Sequence, residues 1–319
     1  MELLEIAGLS TSFTTRSGVI KAVDNVSLSL RKGRVLGLVG ESGCGKTMTA
    51  LSILNLVPPP GRITAGKIVF EDRDLLTLSE AEMRKVRGAR ISMVFQEPMT
   101  ALNPVFTVGN QIGEVLTTHQ AATASEALDR SVELLRSVGI PSPEKRVHEY
   151  PHQLSGGMRQ RVMIAMAIAC RPSLILADEP TTALDVTIQA HILELLTRIQ
   201  AEMGMAMILV THDLGLIAER AHEVAVMYAG RIVEQADTPE LFRDPLHPYT
   251  RGLMASLPRP GDVRRGRLRT IPGTVPRLSD LPKGCTFAPR CDIRIDRCAA
   301  EPELVEVKPG HWVRCWKAK

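Results

Sequence analysis

The feature that most constrains this chain is a glycine-rich octapeptide set between an apolar stretch and a helical pattern. Residues 40–47 read GESGCGKT and fit G-x-x-x-x-G-K-[ST]. Residues 34–39 before it predict a buried strand, and residues 49–56 after it predict a helix that ends before a proline run. Glycines let backbone N–H groups turn inward around phosphate oxygens, and a helix N-terminus favours negative charge. The octapeptide therefore predicts a nucleotide phosphate-binding loop in an α/β protein.

Individual residues of this phosphate loop have predicted roles. Lys46 would reach the β- and γ-phosphates, and the Thr47 hydroxyl would bind Mg²⁺. Phe13, upstream of the loop, either stacks on an adenine ring or is an ordinary core residue. The other predicted nucleotide contacts are Gly40, Ser42, Gly43, Cys44, Gly45 and Met48.

Length, charge and hydropathy narrow the class of protein. The 319 residues suffice for one large α/β core and a smaller appendage. A net charge of +4 is too small to indicate a nucleic-acid partner, and we predict none. Five arginines between positions 259 and 269 mark either a solvated linker or a contact with an acidic or membrane surface. The longest apolar block is far shorter than the about 20 residues of a membrane span, and no signal peptide is visible, so we expect a cytosolic protein.

Polar side chains follow three further predicted strands, where α/β sheets place their ligands. They are Gln96, the adjacent pair Asp178 and Glu179, and His212. Two carboxylates at a strand end predict Mg²⁺ binding by the first and activation of water by the second. A lone histidine is usually structural, but the position of His212 beside the other strand ends favours a functional role. After a hairpin at residues 223–233 the α/β pattern stops.

Helical segments interrupted by prolines fill residues 97–153 and predict an inserted helical subdomain. Ser155 then provides an N-cap for a nearly all-apolar helix over residues 158–169. Gly156 and Gly157 leave backbone N–H groups exposed at the start of this helix. The segment is therefore either the start of a capped, buried helix or a second anion site.

Four of the six cysteines lie in the last 35 residues with the spacing C-x5-C-x6-C-x16-C. Disulfides are disfavoured in a cytosolic chain, so clustered thiols favour a metal site over free thiols. The spacing matches neither zinc ribbons nor common ferredoxins, which leaves zinc and an iron–sulfur cluster open. The predicted metal ligands are Cys285, Cys291, Cys298 and Cys315.

Taken together, the motifs resemble those of the nucleotide-binding subunit of an ABC transporter, over roughly residues 1–250. The resemblance rests on the phosphate loop, Gln96, LSGG at 154–157, LADE at 176–179, ALD at 183–185 and His212. It implies an α/β fold with a P-loop NTPase core, an antiparallel β subdomain and a helical subdomain inserted at about residues 97–170. Residues 251–319 would form a small cysteine-rich C-terminal extension.

The same resemblance implies how ATP is bound and hydrolysed. Thr47, Gln96 and Asp178 would hold Mg²⁺, Glu179 would polarise the attacking water, and His212 would contact the γ-phosphate. The chain is thus expected to be an ATPase with ATP and Mg²⁺ as cofactors.

Family resemblance also implies partners. Two ATPase subunits, identical or different, would pair head to tail, with residues 155–157 of one facing the phosphate loop of the other and Asp185 signalling across the pair. Two integral membrane permease subunits would dock near Gln96, and an external substrate-binding protein would act indirectly. The expected location is the cytoplasmic face of the inner membrane, as a peripheral subunit.

Several residues resemble the dipeptide/oligopeptide and nickel importer subgroup, including HPYT at 247–250. Met158 departs from the glutamine that generally follows LSGG in the family. In this subgroup such C-terminal cysteines can hold a [4Fe–4S] cluster, which favours iron–sulfur over zinc. We therefore expect an ATPase that powers peptide import; the alternatives are an importer of nickel or another small solute, or a soluble ABC ATPase acting on ribosomes or DNA.

Overall fold

A computed structural model describes residues 2–16, 18–182, 184–257 and 270–318. The chain divides into two compact units, of which unit 1 comprises Met1–Leu76 and Leu209–Lys319 and unit 2 comprises Thr77–Ile208. Ala183 of the ALD motif and the arginines between positions 259 and 269 lie outside the described residues.

Unit 1 begins with a four-stranded antiparallel sheet made of β1 (Glu2–Thr15), β2 (Gly18–Arg31), β4 (Gly61–Phe70) and β5 (Arg73–Asp74). The order of these strands in the sheet is β2-β1-β4-β5. From the sequence alone, residues 3–7 and 26–30 are predicted to be half-buried strands, which covers only part of β1 and β2. The β1–β2 pairing shifts register at several points between Ile6 and Ser12, and each shift interrupts the apolar alternation that predicts a strand.

A parallel strand pair carries the phosphate loop. β3 (Val35–Val39) is buried at every residue and pairs in parallel with β9 (Glu223–Tyr228). An entirely apolar strand is typical of a parallel sheet covered on both faces. The predicted hairpin is confirmed: β9 turns at residues 229–230 into β10 (Arg231–Asp237). The helix after the loop, α1, spans Lys46–Ile53.

Beyond that hairpin the alternation of parallel strands and helices stops, but regular structure continues. The chain continues through two helices, α10 (Thr238–Arg243) and α11 (Pro248–Ala255), and then two strands, β11 (Val305–Lys308) and β12 (His311–Val313). β12 pairs antiparallel with both β10 and β11. Strands of three and four residues are too short for alternation to be recognised in the sequence.

Unit 2 contains the parallel pair β6 (Ile91–Val94) and β7 (Leu174–Asp178), both buried throughout. Its helices are α2 (Glu80–Val86), α3 (Pro98–Ala101), α4 (Val108–Gln120), α5 (Ala124–Ser137), α6 (Pro143–Arg146), α7 (Gly156–Ile168) and α8 (Val186–Met203). The boundary between the two units falls within β8 (Ala206–Thr211). The next helix, α9 (Leu214–Arg220), belongs to unit 1.

Among the described residues, none of the helices is both long enough and apolar enough to cross a membrane.

Candidate functional site

Tight backbone packing shapes the phosphate loop. Gly40 and Gly45 have φ angles of 155° and 108°, in the region that glycine adopts most readily. A Cβ at Gly40 would lie 2.2 Å from the carbonyl oxygen of Met227, and one at Gly45 would lie 2.3 Å from that of Ala22. These two positions therefore require glycine, because the backbone of neighbouring strands approaches the loop.

The lysine of the loop lies over the loop's own backbone. Lys46 is 5% exposed, and its Nζ donates to the carbonyl oxygens of Gly40 and Glu41 at 2.8 and 3.1 Å. This arrangement places a positive charge inside the loop that the sequence predicts to bind phosphate. Thr47 is exposed at the start of α1.

The remaining loop positions differ in exposure. Ser42 and Gly43 are exposed, whereas Met48 is half-buried. Cys44 is fully buried, and burial raises the pKa of its thiol. The Cys44 side chain is thus enclosed, and its backbone N–H donates to the carbonyl oxygen of Glu41 at 3.3 Å.

In unit 2 the structure brings together two of the predicted strand-end residues. Glu179 follows β7 directly, and its φ of 42° puts it in the left-handed region. Its Oε2 accepts a hydrogen bond from Gln96 Nε2 at 3.3 Å and another from Thr182 Oγ1 at 3.0 Å. Asp178, the last residue of β7, is 2% exposed. The left-handed backbone of Glu179 costs about 1–3 kcal/mol, and backbone strain of this kind is concentrated at functional sites.

Thr182 was missed by the sequence reasoning. A hydroxyl three residues after a strand-end carboxylate is a turn pattern that could have identified it. The hydrogen bond from the Thr182 hydroxyl fixes one carboxylate oxygen of Glu179. The neighbouring Asp178 is buried.

The predicted N-cap at α7 is confirmed. Ser155 Oγ accepts a hydrogen bond from the backbone N–H of Met158 at 3.3 Å. Ser155 and Gly156 are exposed, whereas Gly157 is buried, where a Cβ would lie 2.9 Å from Ile188 of α8. The helix therefore presents an exposed N-terminus, the geometry that suits an anion. Asp185 is exposed at the N-terminus of α8.

Two further predicted residues belong to unit 1. His212 is exposed directly after β8, and the next residue, Asp213, caps α9 through its carboxylate. Phe13 is half-buried in β1, and its ring lies 2.5 Å from where a Cβ of Gly61 would be. The tight contact with Gly61 gives Phe13 a packing role in the antiparallel sheet.

The four C-terminal cysteines converge on one cavity of about 10 Å³. Burial, together with the neighbouring Cys298 and Cys315, raises the pKa of Cys285 to about 11. The volume is that of about one water molecule. Within the described residues, however, no group of three or more His, Cys, Asp or Glu side chains has an arrangement that could hold a metal ion. The donor chemistry suits a metal, and the predicted [4Fe–4S] cluster gains no support from the present geometry.

Comparisons with known proteins show the family and agree with the α/β fold. Residues 23–182 match the family described as ABC transporter. The chain therefore belongs to the ABC transporter family, and it is an ATPase of that family. The C-terminal part of the chain matches a narrower family: residues 233–298 match the one described as oligopeptide/dipeptide transporter, C-terminal region.

Individual relatives extend the similarity to almost the whole chain. The probable peptide ABC transporter ATP-binding protein y4tR of Sinorhizobium fredii is 52% identical, over 99% of this chain and 95% of the relative. The dipeptide transport ATP-binding protein DppD of Escherichia coli K12 is 50% identical, over 99% of this chain and 96% of the relative. A solved dimeric ATP-binding cassette, MJ0796 in a post-hydrolysis state with ADP and Pi, superposes with a TM-score of 0.66 at 27% identity, covering 74% of this chain and 98% of that one.

Proposed function

We propose that this chain is the ATP-hydrolysing motor subunit that powers import of peptides through separate membrane permease subunits. The observation that carries the proposal is the Glu179 carboxylate at the end of β7, oriented by hydrogen bonds from Gln96 and Thr182. A positioned carboxylate of this kind can take a proton from water. Peptide as the substrate is supported by relatives about half identical over nearly the full length and named for peptide or dipeptide transport.

In the proposed reaction, Lys46 neutralises charge on the β- and γ-phosphates of ATP. Mg²⁺ would be held by Thr47, Gln96 and Asp178, and it would supply neutralisation of the negative charge that develops on the phosphates. Glu179 accepts a proton from the water that attacks the γ-phosphorus, so a new P–O bond forms as the bond to ADP breaks. His212 contacts the γ-phosphate from the end of β8.

Completion of each ATP site requires a second ATPase chain, identical or different. The exposed N-terminus of α7, at residues 155–157, would face the γ-phosphate held by the phosphate loop of the partner, and Asp185 would report on the partner site. Support comes from the exposure of Ser155, Gly156 and Asp185 and from the dimeric form of the solved relative.

The remaining parts of the transporter would be two integral membrane permease subunits and, indirectly, an external substrate-binding protein. Coupling to the permeases would occur near Gln96, at the cytoplasmic face of the inner membrane. In domain terms, residues 1–250 would form the ABC ATPase domain, with the helical subdomain at about 97–170, and residues 251–319 would form the extension.

A metal at the four cysteines of the extension, with a [4Fe–4S] cluster as the first candidate and zinc as the alternative, would require the thiols to rearrange, because in the described residues they do not form a metal-binding group. The support is that all four thiols line one cavity, since a short tail with little core gains folding free energy from a metal.

Co-purification from native membranes tests the transport proposal. The tagged chain should recover two permease subunits and a second ATPase, and the substrate of the associated binding protein would separate peptide from nickel or another small solute. Recovery with ribosomes or DNA, and without permeases, would overturn the transport proposal.

A further inference from the structure

A residue of the C-terminal extension is bonded to the phosphate loop. Arg290 donates from both terminal nitrogens to the carboxylate of Glu41, with Nη1–Oε2 and Nη2–Oε1 distances of 2.7 and 3.1 Å. The Arg290 side chain is 4% exposed, and that of Glu41 is 31% exposed. A bidentate pair with one member buried is among the stronger interactions between side chains.

Arg290 is itself held by other groups of unit 1. Its Nε donates to the carbonyl oxygen of Pro272 at 2.9 Å, and its guanidinium lies 5.8 Å from the centre of the Tyr228 ring. The Glu41 carboxylate is the first cause of a raised pKa for Arg290. The guanidinium therefore has a fixed position from which it can hold Glu41.

The backbone of Glu41 is held as well. Its N–H donates to the Tyr249 hydroxyl at 2.8 Å, and its carbonyl oxygen accepts from Lys46 Nζ at 3.1 Å. Glu41 thus lies between the lysine predicted to meet the ATP phosphates and the arginine of the extension. Without Arg290, its carboxylate would be an unpaired negative charge in a loop that binds a polyanion.

Arg290 lies within the cysteine-bearing segment. It ends the short 3-10 helix Ala288–Arg290, and the next residue is Cys291. The N–H of Ala288 donates to the carbonyl oxygen of Cys285, whose own N–H donates to that of Cys298. The fold of the cysteine segment therefore determines where the Arg290 guanidinium lies.

We infer that Arg290 is a positioning residue for ATP binding: it holds and neutralises the Glu41 carboxylate, so that the affinity of the phosphate loop for ATP depends on the folded C-terminal extension. The inference rests on the proposed ATPase function. It adds a contact within the chain by which the extension controls the nucleotide site.

The test is the dissociation constant for a fluorescent ATP analogue, measured in the full-length protein well below the Tm of each variant. Arg290→Gln should weaken binding about tenfold, within the range typical of coupling between two sites. Glu41→Gln added to Arg290→Gln should restore most of that affinity, because the unpaired carboxylate is then gone. The affinity of Arg290→Lys for the analogue should lie between those of the wild type and Arg290→Gln, since lysine keeps the charge but loses the bidentate contact.

Arg294→Gln is the matched control, because it removes an exposed charge from the same segment. A lowered Tm with unchanged affinity in Arg290→Gln, or a loss that Glu41→Gln does not restore, would overturn the inference. Should Arg290→Gln fail to fold, wild-type affinity in Arg290→Lys would overturn it equally. Failure of the wild-type chain to bind the analogue would instead contradict the proposed function itself.

Discussion

The Nε2 of His311 lies 2.8 Å from Oε1 of Glu234, and both side chains are fully buried. The same carboxylate accepts the backbone N–H groups of Leu246 and His247 at 2.7 and 3.0 Å. Because a carboxylate only accepts, the imidazole carries its hydrogen on Nε2. A single side chain of β10 thereby joins β12 and the start of α11 to the sheet.

Glu234→Ala should lower the free energy of unfolding by about 3–5 kcal/mol, because three buried donors lose their acceptor. Urea denaturation measures the change. Glu234→Gln keeps one acceptor oxygen and should be less damaging, whereas Glu133→Ala, an exposed change on α5, should have little effect. Equal stability of Glu234→Ala and Glu133→Ala would show that the buried pair contributes nothing.

Glu179→Gln should retain ATP binding while slowing hydrolysis by about 10²–10⁴, the usual contribution of a positioned base. The amide keeps the size of the carboxylate but cannot take a proton from water. Steady-state phosphate release measures hydrolysis, and Glu194→Gln, on the exposed side of α8, serves as the control. Wild-type turnover in Glu179→Gln would remove Glu179 from its proposed role.

Lys46→Ala should weaken ATP binding by about 10- to 100-fold, since a charged hydrogen-bond donor contributes about 1.5–3 kcal/mol. Equilibrium titration with nucleotide measures the loss. Lys67→Ala, which removes an exposed lysine from β4, should bind as the wild type does. Equal affinities in the two variants would argue that Lys46 does not contact phosphate.

How far the sequence predicts this fold depends on how local each signal is. Ser79 with Glu82 three residues on is a pattern that predicts a capped helix, and the structure has that capping box at α2. The N-cap Ser155 of α7, predicted above, is also confirmed. Both signals are local, because the partners lie within three residues of each other. The Arg290–Glu41 pair joins residues 249 positions apart, and no pattern along the chain indicates it. Its detection required the three-dimensional structure.

The same distinction applies to the candidate site. Gln96 and Glu179 were predicted from their positions at strand ends, and the hydrogen bond between them shows that the ends meet. The turn hydroxyl of Thr182 and the left-handed backbone of Glu179 were not predicted, because both depend on how the chain leaves β7.

Cys291→Ser should remove visible absorption from the protein and make the C-terminal segment sensitive to protease, if the four cysteines hold an iron–sulfur cluster. Loss of one thiolate ligand weakens a cluster that contributes folding free energy to the tail. Absorption spectra and limited proteolysis of anaerobically purified protein measure both effects. Cys170→Ser, an isolated cysteine of unit 2, is the control. Unchanged absorption and protease resistance in Cys291→Ser would contradict the metal proposal.

His247 provides a pH-sensitive contribution to stability. The side chain is 1% exposed, its Nδ1 accepts the backbone N–H of Tyr249 at 3.1 Å, and its ring packs against Phe287. Burial lowers the pKa of His247 from 6.5 to about 4. The imidazole is therefore neutral in the folded chain at pH values where it would be protonated in the unfolded chain.

Between about pH 6.5 and about pH 4 the unfolded chain binds more protons at His247, so the free energy of unfolding should fall as the pH falls, by up to about 3 kcal/mol. Urea denaturation at a series of pH values across this window measures the slope. His247→Asn keeps an acceptor for the Tyr249 N–H but cannot be protonated, so it should be less stable at neutral pH and show a shallower slope. Burial also lowers the pKa of His222, which remains in both proteins and contributes equally to each slope. Identical slopes would therefore show that the charge state of His247 does not affect folding.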